Sequence, residues 1–170
     1  MKKILFVTIL CLLALGCTPN WGDDDNIAEP GTNYEPVILN RTVFEASVNY
    51  ETTPRPIEKS GKIYVKGDYI FVNEVNKGFH IIDNSDPVNP NNVGFIKVFG
   101  SSDLSIKSNV FYANNATDLI AFKINENNQS IIINKRLNNV FPQIRSPEGF
   151  TYYELQDDEI IVDWVLMDGN

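Results

Sequence analysis

The feature that most constrains this chain is a strand-turn-strand pattern that occurs twice, about forty residues apart. In the first copy, Lys62-Ile63-Tyr64-Val65 and Tyr69-Ile70-Phe71-Val72 are apolar runs on either side of Lys66-Gly67-Asp68. Val, Ile, Tyr and Phe suit a pleated, half-buried surface and Gly-Asp suits a tight turn, so the spacing predicts a hairpin. Phe79-His80-Ile81-Ile82 is the next predicted strand and residues 93–98 the fourth, with Asp83-Asn84-Ser85-Asp86-Pro87 as a loop between them. Four short antiparallel strands from about forty residues match one propeller blade in size.

The second copy has diverged but keeps the same order. Val65-Lys66-Gly67-Asp68 aligns with Ile106-Lys107-Ser108-Asn109, and Phe71-Val72-Asn73 with Tyr112-Ala113-Asn114. After the loss of one residue, Gly78-Phe79-His80-Ile81-Ile82 aligns with Asp118-Leu119-Ile120-Ala121-Phe122. The expected fold is therefore all-β, with antiparallel sheets from two propeller-blade-like repeats at about 62–100 and 103–138. Two more strands are expected at Phe150-Thr151-Tyr152-Tyr153 and at residues 160–166. Phe71, Ile81, Phe95, Tyr112, Leu119 and Phe122 are the expected core side chains. Propellers close with about four to eight blades, so two units make an incomplete propeller whose open faces and strand edges favour self-association.

The segment before the repeats reads as an address. Lys2 and Lys3 precede an apolar run from Ile4 to Leu15, too short for the roughly 20 residues of a spanning helix, and residues 1–16 therefore read as a signal peptide. Ala14-Leu15-Gly16-Cys17 resembles the lipobox of bacterial lipoproteins, and that resemblance implies cleavage before Cys17 and its acylation. Cys11 lies within the leader, so Cys17 would be the single thiol of an exported chain, where a disulfide has no second partner. Several acyl chains, at about 0.8 kcal/mol per buried methylene, hold a protein at a membrane where one chain does not. The expected location is the outer membrane, and Asp23-Asp24-Asp25 resembles the acidic signals of surface-exposed lipoproteins. Residues 17–36 read as a flexible tether, and 37–57 as an N-terminal segment that packs on the repeat domain at 58–170. In that segment Thr42 and Glu45 have capping-box spacing ahead of a short helical turn.

Taken together, Lys62-Ile63-Tyr64, Tyr69-Ile70-Phe71-Val72-Asn73-Glu74, Lys77-Gly78-Phe79-His80-Ile81-Ile82-Asp83-Asn84-Ser85-Asp86-Pro87 and Asp103-Leu104-Ser105-Ile106-Lys107 resemble the LVIVD-repeat lipoproteins of Bacteroidetes. That resemblance implies a β-propeller-like exported protein without an assigned chemistry. The repeat's core stands here as Phe79-His80-Ile81-Ile82-Asp83 and Leu119-Ile120-Ala121-Phe122-Lys123, the second copy lacking the terminal Asp.

The chemistry that the residues allow is narrow. The net charge is −8, and −10 without the leader, with no continuous basic stripe, which excludes nucleic acid as the expected partner. His80 is the only histidine, so histidine-based metal clusters and Ser-His or Cys-His catalysis lack parts. His80 aligns with Ile120 and reads as a packing residue before it reads as a site. Asp83 and Asp86 are weak calcium candidates, since Asx residues before Pro also make ordinary turns. No catalytic residue and no cofactor is expected. The expected function is a binding or scaffold module presenting residues 73–77, 83–92 and 114–117 to a glycan, peptide or protein. An enzyme using a carboxylate pair drawn from such residues as Asp83, Asp86, Asp103 and Asp118 is the alternative, as is a relic without independent function.

Overall fold

The computed structural model of the chain describes residues 31–125 and 129–167. Cys17, the leader, the acidic run and most of the expected tether lie outside them. Among the described residues no helix is long and apolar enough to cross a membrane.

Eleven strands and one short helix follow in the order β1 (Tyr34–Asn40), α1 (Arg41–Ala46), β2 (Asn49–Glu51), β3 (Ser60–Lys66), β4 (Tyr69–Glu74), β5 (Gly78–Asp83), β6 (Asn91–Lys97), β7 (Leu104–Lys107), β8 (Val110–Asn115), β9 (Asp118–Asn125), β10 (Ser130–Leu137) and β11 (Glu159–Leu166). They form three antiparallel sheets. The first blade is β2-β6-β5-β4-β3, the second is β10-β9-β8-β7, and β1 pairs with β11 alone. Both predicted hairpins form around two-residue loops, with Lys66 facing Tyr69 and Lys107 facing Val110. Gly67 and Ser108 occupy the same place in these loops and both take positive φ, 58° and 54°. Only the first copy has the residue that suits this conformation without steric cost.

The two blades stack front to back. In blade 1 the row Tyr64, Phe71, Ile81, Gly94 runs across the sheet, and Phe71, Phe79, Ile81, Ile96 and Val98 join one buried cluster. In blade 2 the corresponding row, counted from the hairpin loop, is Ser105, Tyr112, Ala121, Lys135. That row faces away from blade 1. The cluster instead receives Leu104, Phe111, Ala113, Ile120 and Phe122 from the opposite face of blade 2. Successive propeller blades stack in this sense, one face of each against the other face of the next.

Front-to-back stacking explains where the expected core is wrong. Phe71, Ile81, Phe95 and Phe122 are buried, as their strand positions require, but Tyr112 is 36% exposed and Leu119 is only half-buried. Tyr112 aligns with Phe71 correctly. The face it shares has no third blade on it among the described residues, only residues 141–144 on one side of a groove of about 620 Å³ that Tyr112 and Leu119 also line.

The remaining elements close one end of the stack. Val37, Leu39, Phe44, Ile160 and Val162 pack with Ala116, Phe99 and Ile144 in a second cluster. The cap of α1 is Asn40, whose side chain accepts from Thr42 N at 3.0 Å; the capping box read at Thr42 and Glu45 is therefore displaced by two residues. β1 begins at Tyr34, so the last three residues of the expected tether are strand, and the 37–57 segment also gives blade 1 a fifth strand, β2. The strand expected at Phe150-Thr151-Tyr152-Tyr153 does not form. Its backbone is held locally, with Phe150 N donating to Ser146 Oγ and Ser146 N to Phe150 O, both at 3.0 Å. The nearby β11 forms its ladder with β1.

Gly78, at the start of β5, is fixed by close approach. It takes φ 148°, and a Cβ there would strike Ile96 O and the Phe95 ring.

Candidate functional site

Three arrangements carry polar groups in unusual surroundings. The first is on the outer face of blade 1. His80 stands opposite Val72, and Glu74 is two residues further along β4, which puts the two side chains diagonally on one face. His80 Nε2 lies 3.0 Å from Glu74 Oε2, with both side chains buried. The chain before β3 crosses over them. Glu58 N donates to Glu74 Oε2 at 3.0 Å, Lys59 N donates to Glu74 Oε1, Val75 N donates to Lys59 O, and the Arg55 guanidinium lies 4.7 Å from the centre of the Phe95 ring. Phe95 also meets the His80 ring edge-on at 4.9 Å. The packing reading of His80 therefore holds, but Glu74 is a partner that the sequence reading missed. The predicted strand ended at Val72 and Glu74 was placed in the 73–77 loop; the extension of β4 to Glu74 is what sets it diagonal to His80.

Burial pushes the Glu74 carboxyl up, but the bonds from His80, Lys59 and Glu58 outweigh it and hold its pKa below the usual 4.5. A carboxylate whose folded pKa is depressed contributes stability that is full above its unfolded value and is lost as pH falls through the folded one. Thermal stability of the wild type should therefore drop more steeply below about pH 4.5 than that of Glu74→Gln, whose amide does not titrate there. Parallel curves for the two proteins in melts from pH 7 to pH 3 would show that Glu74 carries no such linkage.

The second arrangement is at the capped end. Asp118 is fully buried, and its Oδ2 receives Arg41 Nη1 at 2.6 Å and Arg136 Nη1 at 2.8 Å while its Oδ1 receives Asn139 N at 3.1 Å. Both guanidinium groups also lie over the Phe44 ring, at 5.5 and 5.3 Å. This carboxylate ties α1 to β9 and β10 and has no surface to offer a substrate.

The third is a cleft of about 450 Å³ at the opposite end, lined by residues of both blades beside their hairpin loops. Phe71, Ile81, Phe111 and Ile124 line it with carbon, Tyr50 and Tyr69 add rings, and Lys66, Asp83 and Asn109 supply its polar groups. Tyr50 titrates above its usual range because burial disfavours its anion, with Tyr69 adding to the effect.

The remaining acids named from the sequence are dispersed. Asp83 lines the cleft and its Oδ1 accepts from Ser85 N at 2.9 Å. Asp86 is held in its own turn by Val88 N and Asn89 Nδ2, and its pKa is lowered by those bonds. Asp103 receives Lys62 and the Tyr64 hydroxyl, which lowers its pKa and, with burial, raises that of Tyr64 to about 12. Asp83 ends β5 while Asp118 begins β9, so these two stand at opposite ends of their blades. Among the described residues no group of three or more His, Cys, Asp or Glu is placed to hold a metal ion. Of the loops expected to present a ligand surface, 73–77 and 114–117 are engaged within the fold. Asn76 Nδ2 donates to Asp163 at 2.7 Å and Phe141 N to Thr117 O at 2.9 Å.

Comparison with known families matches residues 59–97 to the LVIVD repeat. The match covers the four strands β3 to β6 of blade 1. No curated protein and no solved structure matches the chain.

Proposed function

We propose that this β-propeller-like repeat protein is an exported, lipid-anchored protein of the outer membrane, and that its repeat domain is a non-catalytic binding module with the inter-blade cleft as its ligand site. The observation that carries the binding reading is the cleft itself. Its volume falls within the range of ordinary small-molecule sites, about 300 to 1,000 Å³, and its lining combines aromatic and aliphatic side chains with Lys66, Asp83 and Asn109, which supports the reading. It also opens at the end away from the β1, β11 and α1 cap, which leaves its rim in solvent. The address rests on the leader and on Cys17, the membrane being reached through acyl chains on that residue.

Two measurements test the two halves of this proposal. Mass spectrometry of the membrane fraction is expected to find an acylated peptide beginning at Cys17, and Cys17→Ser is expected to leave the protein unanchored. A membrane-bound Cys17→Ser protein would remove the anchor from the proposal. For the binding half, a thermal-shift screen of glycans, peptides and amino acids is run on the wild type and on Asn109→Trp, which places a large ring at the cleft mouth. At least one compound should raise the melting temperature of the wild type and not that of the variant. Equal shifts in both proteins, or none in either, would count against the cleft.

A further inference from the structure

The charges at the cleft stand in a fixed order. Lys66 faces Tyr69 across β3 and β4, and Tyr69 faces Asp83 across β4 and β5, so the three side chains stand in one row on one face of blade 1. With strands about 4.8 Å apart, the row sets Lys66 and Asp83 about 10 Å apart at their Cα atoms, on either side of the Tyr69 ring. Among the described residues neither charge belongs to an ion pair. The Lys66 ammonium donates to Asn109 Oδ1 at 2.9 Å and lies 5.4 Å from the centre of the Phe111 ring. The cleft therefore presents a cation and an anion on either side of the Tyr69 ring, above Phe71, Ile81, Phe111 and Ile124.

The charges decide between ligand classes. A neutral sugar would leave both Lys66 and Asp83 without a counter-charge. A ligand with an apolar body and both charges at one end meets every surface of this cleft instead. We propose that the cleft takes the large apolar side chain of a free amino acid or of a peptide's terminal residue, with Lys66 on a free α-carboxylate and Asp83 on a free α-ammonium, the amino acid engaging both charges and a peptide terminus one. This rests on the cleft being a ligand site. Tyr69, between the two charges, then lies against the backbone of the ligand, and Phe71 and Phe111 against its side chain.

Isothermal calorimetry on the acyl-free mature chain tests the assignment with L-phenylalanine, N-acetyl-phenylalanine, phenylalanine amide, the tripeptides phenylalanyl-glycyl-glycine and glycyl-glycyl-phenylalanine, and methyl β-glucoside. Lys66→Gln should weaken N-acetyl-phenylalanine and glycyl-glycyl-phenylalanine at least 10-fold and spare phenylalanine amide. Asp83→Asn, which keeps the Oδ1 that Ser85 N uses, should weaken the amide and phenylalanyl-glycyl-glycine and spare the carboxylates. Binding of L-phenylalanine tighter than either tripeptide assigns the site to a free amino acid, and the reverse order to a peptide terminus. Equal affinity for all charge forms, or unchanged affinities in both variants, would overturn the proposal. Binding of methyl β-glucoside, or of another compound sensitive to Asn109→Trp, in place of every phenylalanine compound would overturn it and leave the binding-module reading standing. No ligand of any class would remove both.

Discussion

Replacing Phe122 with Ala is expected to lower the stability of the folded domain by about 3–5 kcal/mol, the usual cost of truncating a buried Phe. Phe122 is fully buried, and its ring stacks on Phe111 with centroids 5.3 Å apart and planes 16° apart. Phe111 in turn meets Phe71 of blade 1 edge-on at 5.3 Å. The three rings are thus the seam between the blades, and Ala at 122 opens a cavity that neither sheet can close without shifting. At about 2–4 °C per kcal/mol for a chain of this size, the melting temperature should fall by roughly 6–20 °C. Tyr112→Ala is the matched control, because Tyr112 is the immediate neighbour of Phe111 on β8 and points to the open face. Tyr112 is 36% exposed and lines a groove on that face, so its truncation should cost less than that of the fully buried Phe122. Urea denaturation of both variants checks the pair. If Tyr112→Ala costs as much as Phe122→Ala, the front-to-back stacking of the blades is wrong.

A second large effect is expected at Asp118. Asp118→Ala removes the one carboxylate that Arg41 and Arg136 share, leaving Arg41 with Glu45 at 3.5 Å and Arg136 with the neutral Asn115 Oδ1 at 2.9 Å, and takes from Asn139 N its bond to Oδ1. Removing one partner of a buried ion pair costs about 3–5 kcal/mol, because the surviving charge stays desolvated. Here the side chains of Arg41 and Arg136 keep 21% and 13% exposure, so water moderates the penalty and the lower part of that range is expected. The signature is recovery. In Asp118→Ala combined with Arg136→Met the charge left without a carboxylate is gone, so the double variant should be more stable than Asp118→Ala alone. Simple additivity of the two changes in urea melts would show that Asp118 acts through packing and not through charge. Arg41 opens α1 and Arg136 lies in β10, so the loss should also loosen α1 from blade 2. Faster hydrogen exchange in residues 41–46 of Asp118→Ala than of the wild type would register it.

The capped end and the open end differ in how far they could be read in advance. The cleft at the open end is made by hairpin loops and strand ends that the repeat alignment had already placed, so Lys66, Tyr69, Asp83 and Asn109 were each on known elements. Their convergence was not legible, because alternation along a strand says which residues share a face but not which face the next sheet covers. Tyr112 makes the same point from the other side. Its place in the repeat was right and its burial was not, because burial depends on a neighbouring blade and not on the strand it sits in.

By itself the sequence determined the two hairpins of this protein. Runs of Val, Ile, Tyr and Phe broken by Gly67-Asp68 and Ser108-Asn109 favour hairpins, since turn geometry and side-chain alternation act over a few residues, whereas Phe150-Thr151-Tyr152-Tyr153 has the composition of a strand and forms none. The helical turn before β2 and the two repeats follow from the same short-range rules. Only the tertiary structure decided the pairings that span the chain: β1 with β11, β2 on the edge of blade 1, and Asp118 with Arg41. Each joins segments whose own residues are compatible with several partners, such as Val37-Ile38-Leu39 in β1 or Asn49-Tyr50-Glu51 in β2. Which partner wins is set by the edge and the apolar face that the stacked blades leave uncovered, a quantity that exists only once the chain has folded.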